Sequence, residues 1–447
     1  MAAMTAAALV LTSGCSPADT PDDEFEVCSE TASIDYSEFA GITLNVYNWG
    51  EYISDGSEGS VNVNKEFTKL TGIKVNYTNY TSNEDMYAKI VSGGASYDII
   101  IPSDYMIQRL VAENRLEKLD FSNIPNYKYI DSLYRDLYFD PSNEYSVPYS
   151  FGMVGVIYNT KMVEGTPDSW GLLWDQKYAG NILMFNNPRD AFAIAQFYQG
   201  IDVNSTDLNE WQKAYDKLLE QKSLVKAYVM DEVFNKMESG AAAIAPYYAG
   251  DFLSMYENNQ DLAFYYPKEG TNVFVDSICI PKNCANKKAA ELYINFLLDP
   301  NVALQNAETI CYACPNNGVV ENEEYKEFLS ELHPDAFDIL YPDMDALYPD
   351  VDLNNYYFHD FSADMHKSIN DLWNKLKIEW LKEIMKLLFT CYLTGLISLV
   401  ILPANFWLDF FDGVFLGWWD EMLPIFSFGG FNLVPSLIKA LSGELTI

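Results

Sequence analysis

At 447 residues the chain is long enough for two or three domains with sizeable cores. Aspartate and glutamate outnumber lysine and arginine 64 to 28, for a net charge of -36, which argues against nucleic acid as a partner because phosphate binding needs a basic surface. The same imbalance suits a cationic ligand through long-range attraction.

Residues 6–11 form a short alanine-rich apolar stretch, and Thr12-Ser13-Gly14-Cys15-Ser16 follows it. Segment 1–15 resembles the end of a bacterial lipoprotein signal, in which Cys15 becomes the lipidated N-terminus. The stretch is short enough to be a signal core rather than a membrane span. Residues 16–41 are rich in Asp, Glu, Ser, Thr and Pro and are expected to form a solvated acidic tether.

An apolar run at 42–46, bounded by Gly41, predicts a buried strand. Tyr47-Asn48-Trp49-Gly50-Glu51-Tyr52 follows directly, with three aromatic rings and a carboxylate. Those rings are either core residues or half of a clamp for a small organic cation, in which ring faces attract the charge and a carboxylate completes the grip. A helix is expected at 63–70, stopped at Thr71-Gly72, then a strand at 73–77. The next helix starts at Ser82-Asn83-Glu84-Asp85 and stops at Gly93-Gly94. Residues 97–102 form a mostly apolar strand, so the order strand, helix, strand, helix, strand implies a doubly wound α/β lobe. Ser103-Asp104-Tyr105 leaves this strand as Trp49 leaves the first, at the sheet edge where open α/β folds bind ligands.

Further strands are expected at 146–160, 181–185, 241–246 and 273–278, with helices starting at Trp170 and resuming at 192–199. Asn186-Asn187-Pro188-Arg189-Asp190 follows the second of these strands, and Tyr247-Tyr248-Ala249-Gly250-Asp251 the third. Asp276 sits among apolar neighbours in the fourth. Five strands thus each offer an aromatic, a carboxylate, or both.

From about Ile42 to Lys377 this succession resembles the bacterial spermidine/putrescine-binding proteins of polyamine ABC importers. The matching stretches include residues 47–52, Thr71 to Val75, Ser82-Asn83-Glu84, Tyr97 to Ser103, Val147-Pro148-Tyr149, Arg189-Asp190, Ala249-Gly250-Asp251, Asp276-Ser277 and Glu308-Thr309-Ile310. The resemblance implies an α/β periplasmic-binding-protein-like fold of two doubly wound lobes around a ligand cleft. Lobe 1 is expected at 42–151 and 277–320, and lobe 2 at 152–276 and 321–377. Hinges are expected near Gly152 and Ser277. The resemblance also implies a ligand set: Trp49, Glu51, Tyr52, Ser103, Tyr105, Asp190, Tyr248, Asp251, Phe274, Asp276 as the central carboxylate, and Tyr312. Departures from the family pattern, Gly50 for a small hydroxyl residue, Asn187 for an aspartate and Tyr248 for tryptophan, leave the choice of polyamine open.

The implied function is capture of putrescine or spermidine outside the cytoplasm and delivery to ABC permease subunits, with no cofactor, no metal and no enzymatic step. A binding protein for another small cation, or a membrane-held sensor, is the rival reading. The three histidines form no zinc-type His-Glu-x-x-His run, and no Gly-x-x-x-x-Gly-Lys loop is present. Of the seven cysteines, Cys279, Cys284, Cys311 and Cys314 form two close pairs, read as disulfides, free buried thiols or a metal site. Leu340 to Ala346 nearly repeats as Leu347 to Leu353, a duplicated acidic loop that lacks the glycine and distal glutamate of a calcium-binding EF-hand. Residues 378–447 are an apolar tail. The uncharged run 387–404 is long enough to span a membrane, so the tail is either an anchor or a non-native appendage.

Overall fold

The structure, a computed structural model, describes residues 25–93, 96–349, 355–378 and 389–390. Cys15, residues 350–353 of the acidic repeat and nearly all of the apolar tail lie outside the described residues. The chain divides into a body, residues 1–373, and a second unit, residues 374–447. No helix among the described residues is long and apolar enough to cross a membrane.

Among the described residues nine strands build the body: β1 (Thr43–Trp49), β2 (Lys74–Tyr80), β3 (Ile99–Ile100), β4 (Ser146–Asn159), β5 (Ile182–Phe185), β6 (Val225–Val229), β7 (Ile244–Tyr248), β8 (Leu262–Tyr265) and β9 (Val273–Cys279). Their order is β2-β1-β3-β9-β4-β7-β5-β6, with β8 beside β4. β1 pairs in parallel with β2 and β3, and β5 in parallel with β6 and β7. These two parallel sets belong to two lobes, joined by the long β4. Residues 146–153 of β4 pair with β9, whereas residues 154–159 pair with β7 and β8.

Each lobe has its own core. In the first, Phe67 meets Tyr293 and Phe296 at centroid separations of 4.9 and 5.1 Å. In the second, Phe192 packs edge-on against Trp211 at 5.4 Å, and Trp170, Tyr215 and Leu218 are buried around them. Ring pairs at this distance add about 0.5–1.5 kcal/mol each beyond the area they bury.

Several boundaries move. β1 continues to Trp49 rather than ending at 46, because Tyr47 and Asn48 are buried and their backbone stays in register with β2. β3 is only two residues long, since Pro102 cannot donate to a ladder. The helix expected from 192 begins at Pro188: Asn187 accepts the Arg189 N–H as N-cap and Pro188 takes the first turn. The helix expected at Trp170 is a 3-10 turn, Trp170–Trp174.

The acidic tether is shorter than its composition suggests. Phe25, Val27 and Ile34 pack against the core of the first lobe, and Tyr36 and Phe39 are buried in it. Thr31 is fully buried, and its hydroxyl and the Cys28 N–H both donate to Asp299. Apolar residues spaced among the acids, together with one buried acceptor, dock residues 25–39 on the body.

Candidate functional site

The parallel strands all end on one side. β1 and β2 close on Trp49 and Tyr80, whose rings lie 4.6 Å apart. After β3, Ser103 stands at the N-cap of the helix Asp104–Ala112 and Tyr105 in its first turn. β5 leads through the Asn187 cap into Asp190, and β7 leads through Tyr248 into the helix Ala249–Asn258 with Asp251 in its first turn. β9 runs antiparallel between the lobes and brings Phe274 and Asp276 to the same place. Between the lobes lies a cleft of about 930 Å³, counted to its open mouth. All eleven residues expected from the sequence line it.

Asp276 is a buried carboxylate, 4% exposed. Its Oδ2 accepts the Tyr52 hydroxyl at 2.7 Å, while Oδ1, though buried, has no protein partner. Such an unmatched acceptor costs about 1–3 kcal/mol, which a donor on a ligand would recover. Asp190 Oδ2 accepts from Tyr248 and from Asn187 Nδ2, each at 2.8 Å. Asp251 Oδ2 accepts the Tyr312 hydroxyl at 2.8 Å. Three aromatic hydroxyls therefore orient three carboxylates, one each. On the other wall, Asn83 Nδ2 donates to Ser103 Oγ and Tyr105 Oη, and Tyr105 donates to Glu84.

The rings form a continuous wall. Tyr52 meets Tyr312 edge-on at 5.2 Å, Tyr312 lies 6.2 Å from Phe274, and Phe274 lies 5.5 Å from Tyr248. Two glycines allow this packing. A Cβ at Gly152 of β4 would sit 2.7 Å from the Phe274 ring, and one at Gly250 would sit 2.5 Å from Tyr312. Glu51 stands at the exposed rim with φ of 47°, a left-handed conformation that turns the chain sharply after β1.

Burial dominates the electrostatics. It pushes Asp276 and Asp190 up to about 6 and Asp251 up to about 7, against the partial relief of their hydroxyl donors. Asp104, 1% exposed, is raised well above the usual carboxylate range by burial and, in part, by Asp276. Among the described residues, six carboxyls line the cleft, Glu51, Asp104, Asp190, Asp231, Asp251 and Asp276, against a single cation, Arg189. That guanidinium is turned aside: it lies 4.4 Å from the Phe358 ring and 4.3 Å from Phe361, and donates to the His359 carbonyl. The remaining field favours a cation with apolar stretches between its charges.

Sequence reasoning missed Asp231, Tyr80, Phe234 and Phe358 as lining residues. Asp231 follows β6 as Asp190 follows β5, so the strand-end pattern would have found it had β6 been recognised. Phe358 has no local signal. It is carried in by a late segment whose backbone is held by Gln108 on one lobe and Asn204 on the other.

The five described cysteines outside the leader, Cys28, Cys279, Cys284, Cys311 and Cys314, are free thiols. Among the described residues no group of three or more His, Cys, Asp and Glu is arranged to hold a metal ion.

Residues 62–328 match the model of the bacterial extracellular solute-binding proteins. The spermidine/putrescine-binding periplasmic protein of Salmonella typhimurium is 36% identical over 276 residues, 61% of this chain and 78% of that protein. Among solved structures, a spermidine/putrescine ABC transporter protein of Listeria monocytogenes superposes with a TM-score of 0.68 at 36% identity. The match covers 75% of this chain and 99% of that one. A lipoprotein of Treponema pallidum superposes with a TM-score of 0.62 at 26% identity over 75% and 99% of the two chains.

Proposed function

The chain belongs to the bacterial extracellular solute-binding proteins, a family of non-enzymatic receptors of ABC transporters, and from that premise we propose that it captures putrescine or spermidine for import. The observation that carries the proposal is the buried Asp276, with one oxygen held by Tyr52 and the other unpartnered, beneath a wall of aromatic rings. A polyamine is an aliphatic chain bearing separated ammonium groups. Its methylenes fit against Tyr312, Phe274 and Tyr248, and its charges against Asp276, Asp190 and Asp251. A desolvated cation–π contact contributes about 2 kcal/mol and a charge-assisted hydrogen bond about 1.5–3 kcal/mol.

The ligand bridges two lobes that are joined by β4, β9 and the late segment near Phe358. Its contacts on both sides favour the closed arrangement, and closure selects the form that docks on the permease. Cys15 carries the lipid that holds the receptor at the outer face of the membrane in this reading. The Treponema relative is likewise a lipoprotein.

Thermal unfolding tests the charge requirement. Putrescine or spermidine at a hundred times its Kd should stabilise the body by about 2.7 kcal/mol. The isosteric diol, 1,4-butanediol, should leave the midpoint unchanged. Equal stabilisation by diol and diamine would overturn the proposal.

A further inference from the structure

β6 is a half-buried strand at the end of the sheet order, and the turn after it sets Asp231 on the cleft wall opposite Gly50. A Cβ added to Gly50 would lie 3.8 Å from Asp231 Oδ2. No lysine, arginine or histidine pairs with Asp231 among the described residues, and its charge is felt by Asp251 inside the cleft. A second, more open cavity lies beyond it, bordered by Glu84, Asp85 and Glu232. The two cavities share Asp231, Met230, Thr81 and Asn187. Asp231 thus stands at a junction, with the buried Asp276 anchor on one side and an acidic vestibule on the other.

We propose that Asp231 sets the preferred length of the ligand, accepting the far ammonium of a linear triamine or longer polyamine whose other end is held at Asp276. This rests on the polyamine reading above. Gly50 contributes by what it lacks. A hydroxyl side chain there would reach Asp231 Oδ2 and occupy it, whereas glycine leaves that oxygen to the ligand. A diamine anchored at Asp276 is satisfied before it reaches the junction. A triamine reaches it, and substituents beyond its last nitrogen extend into the vestibule.

Calorimetric titration of the full chain with putrescine and spermidine, for wild type, Asp231→Asn and Gly50→Ser, tests the assignment. Asp231→Asn should lower spermidine affinity about tenfold or more, one decade corresponding to about 1.4 kcal/mol, and change putrescine affinity less than about threefold. Gly50→Ser, whose backbone any residue can adopt, should move spermidine in the same direction by a smaller factor. If both ligands weaken by the same factor in Asp231→Asn, or neither weakens, Asp231 does not read length. A wild-type chain that binds neither amine overturns the polyamine reading and this inference with it. A wild-type chain that binds both, with an unchanged ratio in the two variants, overturns this inference alone.

Discussion

Replacing Asp276 by alanine should lower polyamine affinity about a hundredfold or more, because breaking a buried charge pair by removing one partner costs about 3–5 kcal/mol. The size follows from its surroundings. Asp276 is 4% exposed, and the Tyr52 hydroxyl is committed to it. Without it, the ammonium would be left against Tyr52, Tyr312 and Phe274, which supply ring faces and no counter-charge. Asp276→Asn separates charge from shape: the amide keeps the volume and the Tyr52 contact, so its affinity should fall nearly as far. Calorimetry on the full chain is the readout. A loss within about threefold, roughly 0.7 kcal/mol, would mean that the ligand anchors elsewhere.

In the empty protein, Asp251→Asn should raise stability at pH 8 and leave it nearly unchanged at pH 4. Burial lifts the Asp251 carboxyl from 3.8 to about 7. Folding therefore favours its protonated form. Below pH 3.8 both folded and unfolded chains hold the proton, and the residue carries no penalty. Between pH 3.8 and 7 the unfolded chain releases the proton while the folded chain still holds it, so stability is lost over that window, and above 7 the folded chain carries the full cost of a desolvated charge. Three pKa units at 1.36 kcal/mol each set an upper bound of about 4 kcal/mol, worth several degrees in Tm. Putrescine should restore stability to the wild type at pH 8 and restore far less to the variant. An equal Tm change at both pH values, or a fall at pH 8, would contradict burial as the cause of the raised pKa. Asp190 and Asp276, each pushed up to about 6, carry the same kind of penalty at lower pH. A cleft that binds a cation tightly is in this way destabilising while it is empty.

The parts legible in the sequence were those with steep local signals. β1 and β5 are short apolar runs with a polar or aromatic cluster immediately after them, so Trp49 and Asp190 could be assigned to one sheet edge before any fold was known. Asp276 stood out as a lone carboxylate in an alternating apolar strand. β6 was invisible for the opposite reason. It lies at the end of the sheet, Lys226 is exposed, and only Val229 is buried, so no period emerges and Asp231 went unnoticed. Phe358 is held at the cleft because the backbone N–H groups of His359 and Asp360 donate to Asn204 and Gln108, each more than 150 residues away in sequence, and no window of sequence encodes that. The docked part of the tether was hidden by composition: acids dominate the count, while Tyr36 and Phe39 decide the packing. Local pattern located the strand ends, and long-range packing decided which further groups meet them.

The most direct measurement is calorimetric titration of the full chain with putrescine and spermidine at pH 6.5, repeated in two buffers of different ionisation enthalpy. The expected result is micromolar or tighter binding of at least one amine, with a heat that differs between buffers because Asp251, Asp190 and Asp276 shed protons as the ammonium groups arrive. No heat from a folded sample with either amine, or tight binding whose heat is the same in both buffers, would contradict capture of a polyamine by these carboxylates.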